Sequence, residues 1–212
     1  MIDIREKWKK MRKYRIIALI GESGSGKDTI LKEMERVGEM YNFPLHTIIS
    51  CTTRPKRENE INGVNYYYFS DEEFEDSVRN NEMLEFAEFN NWMYGTSINT
   101  LDINKINIGV FNPTGIELLL KRADVDVQVF YIIASAKTRL LRQLNREENP
   151  NIQEIIRRFQ TDMTDFENID FNYYSVFNPD DSAAIKQNAY QIISIGALAD
   201  RPSLVEDMDE KD

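Results

Sequence analysis

Gly21-Glu22-Ser23-Gly24-Ser25-Gly26-Lys27-Asp28-Thr29 follows the apolar run Ile16-Ile17-Ala18-Leu19-Ile20. It precedes a segment in which Ile30, Leu31, Met34 and Val37 fall at near-helical spacing, with Gly38 as a stop. Strand, glycine loop and helix in that order are the context a phosphate-binding loop requires. Glycines at 21, 24 and 26 let the backbone bend until several N–H groups converge. The helix that follows adds its positive end, and Lys27 adds a mobile cation for the outer phosphates. The expected ligand is a nucleoside triphosphate held by Gly21, Ser23, Gly24, Ser25, Gly26, Lys27, Asp28 and Thr29. The pattern departs at Asp28, because Ser or Thr ordinarily follows the lysine to touch magnesium, and here Thr29 comes one place late.

The rhythm of an α/β chain continues outward from the loop. Leu45 to Ile49 reads as the next buried strand, leading into the polar and basic run Ser50-Cys51-Thr52-Thr53-Arg54-Pro55-Lys56-Arg57. In open α/β sheets ligands bind past the carboxyl ends of the strands. Residues 54–100 break the rhythm, with Tyr66-Tyr67-Tyr68-Phe69, a helix from about Asp71 to Asn80 and the run Met83 to Phe89, and are read as an inserted lobe. Ile106 to Phe111 reads as a strand, Pro113 opens a helix, and Val127 to Ile133 is a continuous apolar strand of the parallel, doubly covered kind. Ala136 to about Phe166 is mostly helical with a break near Asn149-Pro150-Asn151. Its first half is expected to turn Leu140, Leu141 and Leu144 inward and to put Arg139, Arg142 and Arg146 on one face, with Arg139 a surface residue. Tyr173 to Phe177 and Ala183 to Ile195 complete the pattern as strand and helix. The core is therefore expected over 15–53 and 101–200, with residues 136–166 as a helical lid.

Composition sets outer limits. The chain has 212 residues and a formal net charge of −10, against the clustered cations that bulk nucleic-acid binding needs. No apolar run approaches the ~20 residues of a membrane span, and a single cysteine, Cys51, fits a reducing cytoplasm. A monomer or homodimer acting on small molecules is expected. Residues 1–14 form a basic extension, with seven basic side chains and one acid between Arg5 and Arg15, and residues 201–212 an acidic tail.

A second constellation is Ser50-x-Thr52-Thr53-Arg54-x-x-Arg57-x-x-Glu60-x-x-Gly63-x-x-Tyr66, followed by Glu85-Phe86-Ala87 and Tyr94-Gly95-Thr96. Two arginines three apart and two phenols match a compact dianion, because guanidinium forks and hydroxyl donors suit phosphate oxygens. Glu85 can accept from a ring N–H and an exocyclic amine together, and Ser50 and Thr96 can donate to a carbonyl, which is the edge pattern of guanine. Glu60 reads equally well as a partner of Arg54 or Arg57 or as a surface acid, and Cys51 and His46 as structural residues.

From about Arg15 to Ile195 the sequence resembles the guanylate kinase family. The resemblance implies a P-loop three-layer core with a parallel sheet, an inserted nucleoside monophosphate lobe and a helical lid. It implies transfer of the γ-phosphoryl group of ATP, with Mg2+, to GMP or dGMP. On that likeness Ser50, Glu85 and Thr96 read the base, Arg54, Arg57, Tyr66 and Tyr94 hold the acceptor phosphate, and Lys27, Arg54, Arg142, Arg146 and Arg158 act on the migrating group. Two acidic positions of the family pattern are Val110 and Asn112 here; Asn112 brings an amide oxygen without charge, and Asp28 becomes the candidate metal ligand. The loop form Gly-Ser-Gly-Lys-Asp also resembles ribose bisphosphate kinases, and silent guanylate-kinase-like binding modules share the acceptor lobe, so both readings stay open.

Overall fold

The computed structural model describes residues 13–198 apart from Arg57, Asn59, Asn90, Glu147 and Asp180. The acidic tail, most of the basic extension and Arg57 therefore lie outside the described residues. In chain order the elements are β1 (Tyr14–Ile20), α1 (Lys27–Tyr41), β2 (Leu45–Thr47), β3 (Cys51–Thr52), β4 (Tyr67–Tyr68), α2 (Asp71–Arg79), β5 (Met83–Phe89) and β6 (Trp92–Ser97). They continue with β7 (Ile106–Val110), α3 (Pro113–Leu120), β8 (Val125–Ile133), α4 (Ala136–Leu144), α5 (Ile152–Asp165), β9 (Tyr174–Phe177) and α6 (Ser182–Leu198).

Alternation along β1 creates the layers. Ile17 and Leu19 pack on one side with Ile30, Met34 and Val37 of α1 and with Ala189, Ile192 and Ile193 of α6. Ile16, Ala18 and Ile20 pack on the other with Ile116 and Leu119 of α3. Each of these large side chains is fully buried, worth about 1.5–3 kcal/mol against exposure. The sheet order is β2-β7-β1-β8-β9, with every pairing parallel. The carboxyl ends of the strands thus converge on one edge, and the glycine loop leaves from the central strand there.

A second sheet, β4-β3-β6-β5, builds the lobe. It begins earlier than residue 54, because Cys51 and Thr52 pair with Gly95 and Tyr94 and not with the first sheet. Cys51 packs with Phe74 and Met83 in a small separate core, and burial pushes its thiol up to about 11, so it stays a protonated filler. The strand expected at Leu45–Ile49 is shorter, at Leu45–Thr47, and only half-buried, since it has one neighbour, β7, at the sheet edge. His46 contacts the Thr100 carbonyl oxygen at 2.9 Å, a structural role.

The segment expected as a lid is two helices separated by caps: Asn145 closes α4, and the Asn151 side chain accepts from the Glu154 N–H to open α5. Its inner face differs from the expectation. Leu140 and Leu141 are exposed and Arg139 is buried. The reason is that α4 rests on the polar backbone of the glycine loop, so a guanidinium finds partners there and a leucine would not. Among the described residues no helix is long and apolar enough to cross a membrane.

Candidate active site

The glycine loop is held from behind. Arg142 Nη1 donates to the carbonyls of Gly24 at 3.3 Å and Ser25 at 3.0 Å, and its Nη2 donates to those of Asn178 at 3.4 Å and Pro179 at 2.9 Å. Asn178 Nδ2 donates to the Ser25 carbonyl at 2.8 Å. These bonds tie the carbonyl side of the loop to α4 and to the end of β9, while the Ser23 N–H is taken by Asp162 Oδ2 and the Ser25 N–H by the Glu22 carbonyl. Gly26, the N-cap of α1, makes no side-chain cap bond, so the first-turn N–H groups keep their capacity to bind phosphate. Gly24 has φ +80°, and a Cβ there would lie 2.5 Å from the Arg139 carbonyl oxygen. Gly24→Ala therefore meets both strain and a backbone clash. It is expected to lower kcat/KM for the triphosphate roughly tenfold or more, the equivalent of 1–3 kcal/mol of backbone strain, as read by steady-state kinetics.

A cavity of about 310 Å3 joins the loop to the lobe. Gly21, Ser23 and Lys27 line it from the loop, Ser50, Tyr66, Glu85 and Tyr94 from the lobe, and Val110 and Asn112 from the end of β7. The lid contributes Asp162, Asp165 and Phe166, none of which the sequence reading singles out. Asp28 and Thr29 are exposed on the first turn of α1. Thr29 turns toward a surface groove with Lys32 and Arg36, whereas Asp28 is close enough to Tyr66 to help raise its phenol.

Glu85 and Thr96 face each other across β5 and β6, and the buried Thr96 hydroxyl donates to the Glu85 carboxylate. Burial raises the Glu85 carboxyl above its ordinary range, and the Thr96 bond offsets this in part. A side chain at Gly115 would press on both Glu85 Oε2, at 3.1 Å, and Asn112 Oδ1, at 2.9 Å. Asn112 Oδ1 accepts from the Gly115 N–H at 2.7 Å and so caps α3. Its amide oxygen is engaged in that cap, while Val110 presents only methyl groups to the cavity.

Arg54 is buried, and its Nη2 pairs with Glu60 Oε1 at 2.8 Å, which resolves the open reading of Glu60. The guanidinium also lies over the Tyr66 and Tyr68 rings at 5.6 and 5.8 Å. Tyr66 meets Tyr94 edge-on at 6.1 Å. Arg54 is thereby fixed behind the two phenols. Arg146 is exposed beyond the end of α4, and Arg158 is exposed on α5 with its Nε donating to Glu154 Oε1 at 2.8 Å.

The sequence model of the family described as guanylate kinase matches residues 13–187. A guanylate kinase of Malacoplasma penetrans is 36% identical over 163 residues, which cover 73% of this chain and 81% of that one. One of Campylobacter jejuni is 31% identical over 168 residues, covering 77% and 80%. The crystal structure of guanylate kinase from Anaplasma phagocytophilum superimposes with a TM-score of 0.59 at 21% identity, over 91% of this chain and 89% of that one, a likeness of fold. With the family model spanning most of its length, this chain belongs to the guanylate kinase family.

Proposed function

We propose that this protein transfers the γ-phosphoryl group of ATP to GMP, dGMP or both, giving ADP and the guanine nucleoside diphosphate. The observation that carries the reading is the single cavity in which Lys27 of the loop faces Ser50, Tyr66, Glu85 and Tyr94 of the lobe. Loop amides and Lys27 hold the donor phosphates, and Glu85, set by Thr96, accepts from the guanine ring N–H and exocyclic amine. Ser50 donates to the base carbonyl. Tyr66 and Tyr94, backed by Arg54 and joined by Arg57, hold the acceptor phosphate. Arg142 fixes the loop from behind, and Arg146 and Arg158 of the lid meet the migrating group when the lid closes, Arg158 exchanging Glu154 for phosphate. Such a site works by alignment, charge neutralisation and exclusion of water, with no covalent relay. A cytoplasmic setting fits the buried free Cys51.

Mg2+ would supply charge neutralisation on the donor phosphates. Among the described residues no three His, Cys, Asp or Glu side chains lie close enough to hold a metal alone, so the ion must share its shell with nucleotide oxygens, as Mg2+ commonly does. Asp28, one residue past Lys27 and facing the lobe side, is the carboxylate placed to complete that shell. Asp28→Ser is expected to raise the Mg2+ concentration for half-maximal rate roughly tenfold; a variant more active at limiting Mg2+ would show that Asp28 only repels phosphate.

The deciding experiment is a coupled phosphotransfer assay with ATP and Mg2+ across GMP, dGMP, AMP, dTMP and ribose bisphosphate. Turnover of guanine substrates alone is expected. Turnover of ribose bisphosphate would replace this reading with a sugar-phosphate kinase, and phosphopeptide binding without any turnover would replace it with a binding module.

A further inference from the structure

Arg139 is 8% exposed although its neighbours Leu140 and Leu141 on the same helix face solvent. Its Nη2 lies 3.2 Å from Glu22 Oε1 of the glycine loop, and its Nη1 lies 3.5 Å from Asp162 Oδ2 of α5. The guanidinium carbon sits 4.8 Å from the centre of the Phe159 ring. Asp162 in turn reaches the loop directly: its Oδ2 accepts from the Ser23 N–H at 2.8 Å, and its Oδ1 accepts from the Ser23 hydroxyl at 3.3 Å. Gln143 Nε2 of α4 donates to the Ser23 carbonyl at 3.4 Å. Ser23 is thus gripped at its N–H, hydroxyl and carbonyl by side chains of the two lid helices.

The grip has a charge logic. Two carboxylates, Glu22 and Asp162, enclose one guanidinium. Arg139 Nε and Nη1 still have no hydrogen-bond acceptor among the described residues. Burying an arginine with spare donors is costly unless its charge is matched, so the two acids are what permit Arg139 to sit under the lid. Charge-assisted bonds such as Asp162 to the Ser23 amide are stronger and more directional than neutral ones. They join segments 139 residues apart, and they bear on α5, the helix that also carries Arg158.

We propose that Asp162 and Arg139 are positioning residues that clasp the lid onto the phosphate loop, setting the height of α5 over the donor phosphates. Asp162 also borders the shared cavity, but the bonds of the pair to the loop run to Ser23 and Glu22, and it is through these that they act. Phosphoryl transfer then depends on the clasp through the geometry of the closed site, whereas donor affinity, supplied by Lys27 and by loop amides other than that of Ser23, depends on it little. The inference rests on the kinase reading above.

The test is steady-state kinetics of the full chain with ATP and GMP for Asp162→Ala, Asp162→Asn, Arg139→Met and the Asp162→Ala/Arg139→Met pair. Asparagine keeps an acceptor for the Ser23 N–H and offers a donor to the Ser23 hydroxyl, so it separates the loop contact from the ion pair. Asp162→Ala is expected to lower kcat roughly tenfold or more, within the ~10²-fold that a displaced group costs, with KM for ATP moved by less than about threefold. Asp162→Asn should recover most of that loss, and the double variant should be no worse than Asp162→Ala, as for residues acting as one unit. A kcat within about twofold of wild type in Asp162→Ala, or a loss carried by KM for ATP, overturns the proposal. Should the alanine variant not fold, amide hydrogen exchange on the nucleotide-free wild type decides: the Ser23 N–H is expected to be protected, and free exchange there overturns the clasp. If the wild type transferred no phosphoryl group, the kinase reading would fail by itself, while the exchange result would still report whether the clasp exists.

Discussion

Lys27→Met is expected to lower kcat by about 10²–10³, the cost of removing one preorganised charge from a phosphoryl or oxyanion site. Lys27 is the first residue of α1 and lines the cavity shared with the lobe. On the proposed function its ammonium would neutralise the phosphoryl group as negative charge shifts toward the leaving oxygen. Methionine keeps the stem and the helix start and removes only the charge, so the melting temperature should stay close to that of wild type. The measurement is kcat at saturating ATP and GMP. A loss confined to KM for ATP, with kcat unchanged, would mean that Lys27 binds the donor equally in ground and transition states and contributes nothing specific to transfer.

The strand, glycine loop and helix are legible in the sequence because their signals are local. An apolar run, glycines at fixed spacing and a lysine at a helix start act within a dozen residues, and β1, the loop and α1 follow directly. The lobe was legible as an interruption, but its first strand was not. Two residues, Cys51 and Thr52, carry no periodicity, and only their pairing with Tyr94 and Gly95 assigns them to the second sheet. The inner face of α4 escapes a sequence reading for a physical reason. A helical wheel assumes that the inner surface is apolar, yet α4 lies on backbone carbonyls and acids, which invert the rule and bury Arg139 while exposing Leu140 and Leu141. Asp162 gave no signal at all, since a polar residue on an amphipathic helix reads as solvated until Ser23 is found against it. Arg54 shows a third limit: its motif leads one to expect an anion ligand, and gives no sign that Glu60 already occupies the guanidinium.

Glu85→Ala is expected to cut kcat/KM for GMP by about 10³ or more. A pocket built to hydrogen-bond its substrate discriminates by up to about 10⁴–10⁵, and here Val110 presents no polar group and the Asn112 oxygen is engaged in capping α3. On the proposed function, Glu85 is thus the acceptor on which recognition of the guanine N–H edge depends. Its burial gives the claim a pH signature of definite sign. The ionised carboxylate is the form that accepts two hydrogen bonds, and desolvation raises the Glu85 carboxyl above its ordinary range. KM for GMP should therefore begin to rise, as pH is lowered, at a higher pH than an ordinary glutamate would impose. Stability runs the other way. A carboxyl whose folded-state pKa is raised contributes stability that is fully present below its unfolded value, about 4.3, and is lost as pH rises through the folded value. At neutral pH the free protein bears the cost of keeping Glu85 charged, so Glu85→Gln, which removes the charge and keeps the shape, should melt at a higher temperature than wild type while binding GMP more weakly. A glutamine variant that loses stability at neutral pH, or that binds GMP as well as wild type does, would show that the Glu85 charge is not held there for the base.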